Sequence, residues 1–70
     1  MYYFKVIPFG LIDRPLLYKY SEKIISGTIV DISIRNKKST GVVLSEVTPS
    51  EIIFDKKKIL TIAELNSYIF

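Results

Sequence analysis

Apolar and polar positions in this chain alternate in short stretches rather than with a helical period, so the pattern predicts strands. Residues 2–8 set Phe4 and Val6 against Lys5, which predicts a first strand with one buried face. Pro8 and Pro15 each fix φ, remove a backbone donor and push the preceding residue towards extended conformations, so residues 9–15 read as a connecting turn. Residues 16–20 form the second predicted strand. Leu16, Tyr18 and Tyr20 share one face, and Leu17 and Lys19 the other. Residues 21–26 are a connection with Ile24 and Ile25 expected to pack inward. Gly27 then offers a positive φ just before the clearest strand of the sequence. In that strand, residues 28–35, Val30, Ile32 and Ile34 are expected on the core face. Asp31, Ser33 and Arg35 are expected to face away.

The second half reads less regularly. Residues 36–40 are expected to form a polar hairpin loop carrying Lys37 and Lys38. Gly41 would open the return strand, residues 42–47, with Val42 and Leu44 on the core face. Residues 48–50 suggest a turn around Pro49. In residues 51–58, Ile52 and Phe54 are the expected anchors, and residues 59–62 read as a last short strand. Residues 63–70 lack a cap and are too few for a stable isolated helix, so an extended tail is expected. Most connections are too short for a parallel crossover, which predicts an all-β domain. Its antiparallel sheet would curl into a small, partly open barrel that limits its edges, with little or no helix.

Composition narrows the chemistry. Seventy residues make one small domain, 49% hydrophobic and 24% charged, with no cysteine and no histidine. Its core must therefore come from side chains, without disulfides or a zinc site of Cys/His type. The same absences remove Ser-His and Cys-His nucleophilic catalysis. Gly10, Gly27 and Gly41 stand alone, so no phosphate-cradling glycine loop is present, and no spacing pairs the carboxylates Asp13, Asp31, Glu46 and Asp55. The expectation is a binding domain rather than an enzyme, with no cofactor of its own. No apolar run approaches the roughly 20 residues that span a bilayer, and the first residues lack the layout of a signal peptide. A cytoplasmic monomer without a membrane partner is the default expectation.

Charge adds a direction. The net charge is +3, with Lys37-Lys38 and Lys56-Lys57-Lys58 clustered while the acids are scattered. Such clusters suit a polyanionic partner, and they equally serve as solubilising, aggregation-blocking residues at loop tips and sheet edges.

The order of several fragments carries a resemblance. Phe4-Lys5-Val6-Ile7-Pro8, Arg14-Pro15-Leu16-Leu17-Tyr18, Gly27-Thr28-Ile29-Val30-Asp31-Ile32, Gly41-Val42-Val43-Leu44-Ser45 and Lys57-Lys58-Ile59-Leu60-Thr61-Ile62 follow one another with nearly unchanged spacing. In that order they resemble the amino-terminal DNA-binding domain of the PriA-like replication-restart helicases (primosomal protein N-prime). The resemblance runs from about Phe4 to Ile62. A family element of Val-Pro-Phe-Gly type falls on Ile32-Ser33-Ile34-Arg35, so Arg35 stands where glycine is usual.

The resemblance implies a domain that holds the 3′-terminal nucleotide of the nascent strand at a stalled replication fork. It implies a longer parent, an ATP-dependent 3′-5′ DNA helicase. The parts of that helicase that use ATP, magnesium and zinc, and that meet other primosome proteins, have no counterpart in these 70 residues. The family pocket maps onto Leu16, Leu17, Tyr18, Arg35 and Lys57, with Arg14 beside it. Tyr18 would offer a ring to the terminal base or sugar, and Lys57 and Arg35 would contact phosphate. Leu16 replaces an aromatic. Leu17 replaces an aspartate that accepts a hydrogen bond from the 3′ hydroxyl, which leucine cannot do; Asp13 or a backbone carbonyl would have to take that role. Two other classes fit the same residues: a small β-barrel that docks a protein through aromatics such as Tyr2, Tyr3 or Phe70, and an RNA-binding barrel of ribosomal type.

Overall fold

The computed structural model describes residues 1–10, 14–53 and 55–68. Among these residues six strands form one mixed sheet curled into a half-barrel: β1 (Tyr2–Pro8), β2 (Leu16–Tyr20), β3 (Thr28–Ile34), β4 (Lys37–Val47), β5 (Leu60–Thr61) and β6 (Glu64–Tyr68). Their spatial order is β5-β2-β1-β4-β3-β6. Neighbours pair antiparallel except β2 and β5, which run parallel, so the expected purely antiparallel sheet is corrected at that edge. The chain reaches β5 after the long excursion of residues 48–59, which supplies the length a parallel return needs.

Alternation places the core as the first three strands predict. Phe4 and Val6 on central β1 are fully buried, as are Val30 and Ile32 on β3, while Lys5 is exposed. Tyr18, Ile24, Val43 and Ile62 complete the cluster, with Leu16, Tyr20 and Ile34 packed against it. Ile25 departs from expectation at 66% exposed. It opens a turn in which the Thr28 amide and hydroxyl both donate to the Ile25 carbonyl, and the side chain after inward-facing Ile24 points outward. Gly27 closes that turn at φ 95°.

The β3–β4 connection is tighter than a five-residue loop. Ile34 pairs directly with Lys37, leaving only Arg35 and Asn36 between them at φ 50° and 67°. Two consecutive positive φ values in a two-residue loop are those of a type I′ turn, whose twist matches that of the strands it joins. This turn fixes the register: Ile32 faces Ser39 and Val30 faces Gly41. Gly41 therefore lies within β4, and Val43 points to the core in place of the expected Val42 and Leu44. Leu44 is the extra residue of a bulge, since Lys5 pairs with Ser45 while Val6 pairs with Val43. Beyond it Val47 faces Tyr3, on the side of the sheet opposite Phe4 and Val6.

After Thr48 the chain makes a short 3₁₀ turn, Pro49–Glu51, where the Thr48 amide donates to the Glu51 carboxylate. Ile52 is half-buried, whereas Phe54, the other expected anchor, and the centre of the first turn at residues 11–13 lie outside the described residues. Of the expected strand 59–62 only Leu60–Thr61 is paired, with Ile59 and Ile62 buried on either side. Among the described residues the tail is extended as expected, Glu64–Tyr68 forming a strand paired with β3.

Gly41 makes a sharp test of this packing. A Cβ there would stand 2.8 Å from both the Ile7 carbonyl oxygen and Val6 Cγ1. Because one of these is backbone, Gly41→Ala forces β1 and β4 apart. Chemical denaturation is expected to show a loss of about 1–3 kcal/mol, a large fraction of what so small a domain has.

Candidate functional site

The half-barrel leaves a seam between β2 and β3, and the seam determines the site. Among the described residues, three hydrogen bonds cross or cap it. The Tyr18 hydroxyl donates to the Ser33 carbonyl at 2.8 Å, the Ile62 amide donates to the Lys19 carbonyl at 2.9 Å, and the next amide, Ala63, donates to the Asp31 carbonyl at 2.8 Å. Consecutive residues of one segment thus bind the two sheet margins, and Tyr18 ties the margins side chain to backbone.

Next to the Tyr18–Ser33 bond lies an open cleft of about 570 Å³. Its apolar lining comes from Leu16, Leu17 and Tyr18 of β2, from Ile34 at the end of β3, and from Ile59 and Leu60. Its charged groups are Arg35, Lys58 and Asp55. Each is positioned by a local device. Arg35 is swung out of β3 by the two-residue turn, adopting a left-handed conformation that costs a residue with a Cβ roughly 1–2 kcal/mol. Lys58 sits in the 3₁₀ turn Lys56–Lys58, whose first residues are capped by Asp55: one carboxylate oxygen accepts from the Lys57 amide at 3.0 Å. Among the described residues the cleft therefore combines apolar walls, two cations and one carboxylate.

Four residues proposed from the sequence, Leu16, Leu17, Tyr18 and Arg35, meet in this cleft although they come from two distant stretches. Lys57 is exposed on the adjacent turn, but Lys58 is the lysine that lines the cleft. Arg14 is exposed in the bend before β2 and does not line it. Asp13, considered as the hydroxyl acceptor, lies outside the described residues. Tyr18 is only 3% exposed and its hydroxyl is engaged, so its ring is the floor of the cleft, not a free stacking face. Exposed Leu60, 52% accessible, and half-buried Leu17 present the apolar surface at the mouth.

Asp55, named in the sequence only among scattered carboxylates, and Lys58, named only as part of the basic run, are not among the pocket residues that the resemblance implies. The signal that would have found them is an acid followed by a short basic run just before β5, which is a turn cap placing one lysine toward the strand that follows. Among the aromatics considered for protein docking, Tyr2 and Tyr3 are half-buried, with Tyr2 packed against the core, and Phe70 lies outside the described residues. Among the described residues, no group of three or more potential metal-binding side chains is found. Comparison of the chain with protein-family profiles, with curated proteins and with solved structures finds no match.

Burial raises the Tyr18 hydroxyl above its ordinary value of 10.0, because the phenolate would lose water. The unfolded chain then releases this proton first as pH rises, so the folded state binds more protons and loses stability. Stability is expected to be level in this respect below pH 10 and to fall above it until Tyr18 ionises in the folded state as well. Tyr18→Phe should lower stability at neutral pH by about 1–2 kcal/mol, because the Ser33 carbonyl loses its donor. The same variant should show a shallower alkaline decline, measurable by urea denaturation at a series of pH values.

Proposed function

We propose that this domain binds the 3′ end of single-stranded DNA in the seam cleft, as the amino-terminal DNA-binding domain of a PriA-like replication-restart helicase. The observation that carries the reading is the convergence of Leu16, Leu17, Tyr18 and Arg35, drawn together on sequence resemblance alone, in one cleft that also holds a lysine. A nucleotide offers what such a cleft complements: an apolar base and sugar for the leucines, and phosphate for Arg35 and Lys58. Aliphatic and buried aromatic walls recognise no particular base, which suits a site that must accept any terminal nucleotide. Further positive charge stands nearby in the chain, Lys37 and Lys38 at the start of β4 just after the Arg35-Asn36 turn and Lys56 and Lys57 on the Asp55-capped turn, and would draw the strand in.

On this reading the domain does no chemistry. The ATP-, magnesium- and zinc-dependent work, and contacts with other primosome proteins, belong to a longer cytoplasmic parent. Protein docking is the second reading. It is favoured by an apolar groove of about 480 Å³ beside the cleft, lined by Pro15, Leu16, Leu17, Ile52 and Ile53, where Ile53 is 90% exposed.

Three outcomes are expected of a fluorescence titration with short oligonucleotides. A linear strand should bind, and the same sequence closed into a circle should compete poorly, because it has no end to place in the cleft. Affinity should fall with salt at a logarithmic slope of about −1.4, at roughly 0.7 per phosphate contact on a single strand. Arg35→Gly should lower affinity and bring the slope to about −0.7, while raising fold stability by up to about 1 kcal/mol through relief of the left-handed conformation. Equal competition by the circle would overturn end binding. Binding indifferent to salt would favour protein docking.

A further inference from the structure

The apolar groove beside the cleft lies on the sheet face opposite the core. Lys5 and Leu17 are cross-strand partners on that face, Val47 stands on it beyond the β4 bulge, and Ile52 and Ile53, which follow the Pro49–Glu51 turn, line the same groove. Folding of one chain leaves this surface incomplete. Ile53 is 90% exposed, the most exposed large hydrophobic among the described residues, beside a groove of about 480 Å³ with apolar walls. The patch thus carries both a projecting aliphatic side chain and a hollow shaped to receive one.

Charge says what fits it. Lys5 and Glu51, both exposed, line this groove, and among the described residues no ion pair joins them. A partner of one sign would satisfy one of the two and oppose the other, and a wholly apolar partner would strip water from both without replacing it. A second copy of the same surface, turned about a two-fold axis, meets every requirement at once. It sets Lys5 against the partner's Glu51 and Glu51 against the partner's Lys5, while each Ile53 enters the facing groove.

We infer that this face is a two-fold interface between copies of the chain, with Ile53 as its apolar anchor and Lys5–Glu51 pairs fixing its register. The inference goes beyond the DNA-end reading and does not depend on it. Leu16 and Leu17 line both the groove and the seam cleft, so the two clefts of a dimer flank the interface, one on each side of the axis. A small groove and two solvent-facing ion pairs make a weak contact, with a dissociation constant on the order of 100 µM.

Sedimentation equilibrium of the domain over a range of about 10 µM to 1 mM is expected to show a reversible monomer–dimer equilibrium. Ile53→Glu, at a position that one chain leaves in water, should weaken association about tenfold or more without changing the urea midpoint. Lys5→Glu and Glu51→Lys each place like charges across the axis and should weaken it several-fold, and the double variant, which restores opposite charges, should recover most of the loss. Glu51 also accepts from the Thr48 amide, so circular dichroism and urea midpoints accompany each variant; if Glu51→Lys fails to fold, Ile53→Glu and Lys5→Glu carry the test. A wild-type domain that stays monomeric to about 1 mM would overturn the proposal and leave the groove to a different protein. A dimer indifferent to Ile53→Glu would put the interface elsewhere and overturn it too, and losses in both single charge variants that the double variant does not restore would overturn the two-fold register. Oligonucleotide binding at the seam should be unchanged in Ile53→Glu, which keeps this test separate from that of the DNA reading.

Discussion

The seam between β2 and β3 is the constraint on which the rest of the structure depends. A 70-residue chain without cysteine or histidine has little with which to stabilise a curled sheet except apolar burial and complete backbone pairing. Here the residues from Leu60 to Tyr68 serve both open margins. They pair with β2 through Leu60 and Thr61, pass Ile62 and Ala63 from one margin to the other, and pair with β3 through β6. Ile62, 1% exposed, is sealed in as the segment crosses. The Tyr18 hydroxyl completes the closure by donating to Ser33, which satisfies the polar tip of a buried ring and a carbonyl at the end of β3 in one bond.

The cleft is a product of the same closure. Where Tyr18 meets Ser33 the two margins are held together, and just beyond them β3 turns away at Arg35 while the chain approaches β5 through the Asp55-capped turn. Apolar β2 residues thus come to lie opposite two polar turns. The energetic logic differs between floor and rim. Tyr18, Ile34 and Ile59 contribute to the core and are at least half-buried, whereas Arg35 holds an unfavourable backbone conformation and Lys58 and Asp55 are exposed. Strain and charge at a rim, set over a well-packed floor, are what a binding site accepts in exchange for a fixed arrangement of contacts.

Much of this arrangement was legible in the chain, and the illegible parts have definite causes. Period-two alternation located β1 to β3 and their buried faces because each is a core strand with one apolar side, so Phe4, Val6, Val30 and Ile32 could be placed by counting. The face of β4 could not. It depends on a two-residue turn at Arg35-Asn36, a pair without the glycine that usually announces such a turn, and on a bulge at Leu44 that reverses the alternation again before Val47. Parallel pairing of β5 and the attachment of β6 are tertiary outcomes with no local signature. At the site, the resemblance brought β2 and Arg35 together, but it named Lys57 where the capped turn presents Lys58. It gave no place to Asp55, whose position at the cleft appears only when the turn is seen against it.

The most direct test of the account is a titration of the isotope-labelled domain with a short linear oligonucleotide ending in a 3′ hydroxyl, followed by amide NMR. The largest shifts are predicted at Leu17, Arg35, Asp55, Lys58 and Leu60 around the seam, with the groove at Ile52 and Ile53 and the far face of the sheet little changed. Shifts centred on that groove, or spread evenly over the lysines without a focus at the seam, would contradict it.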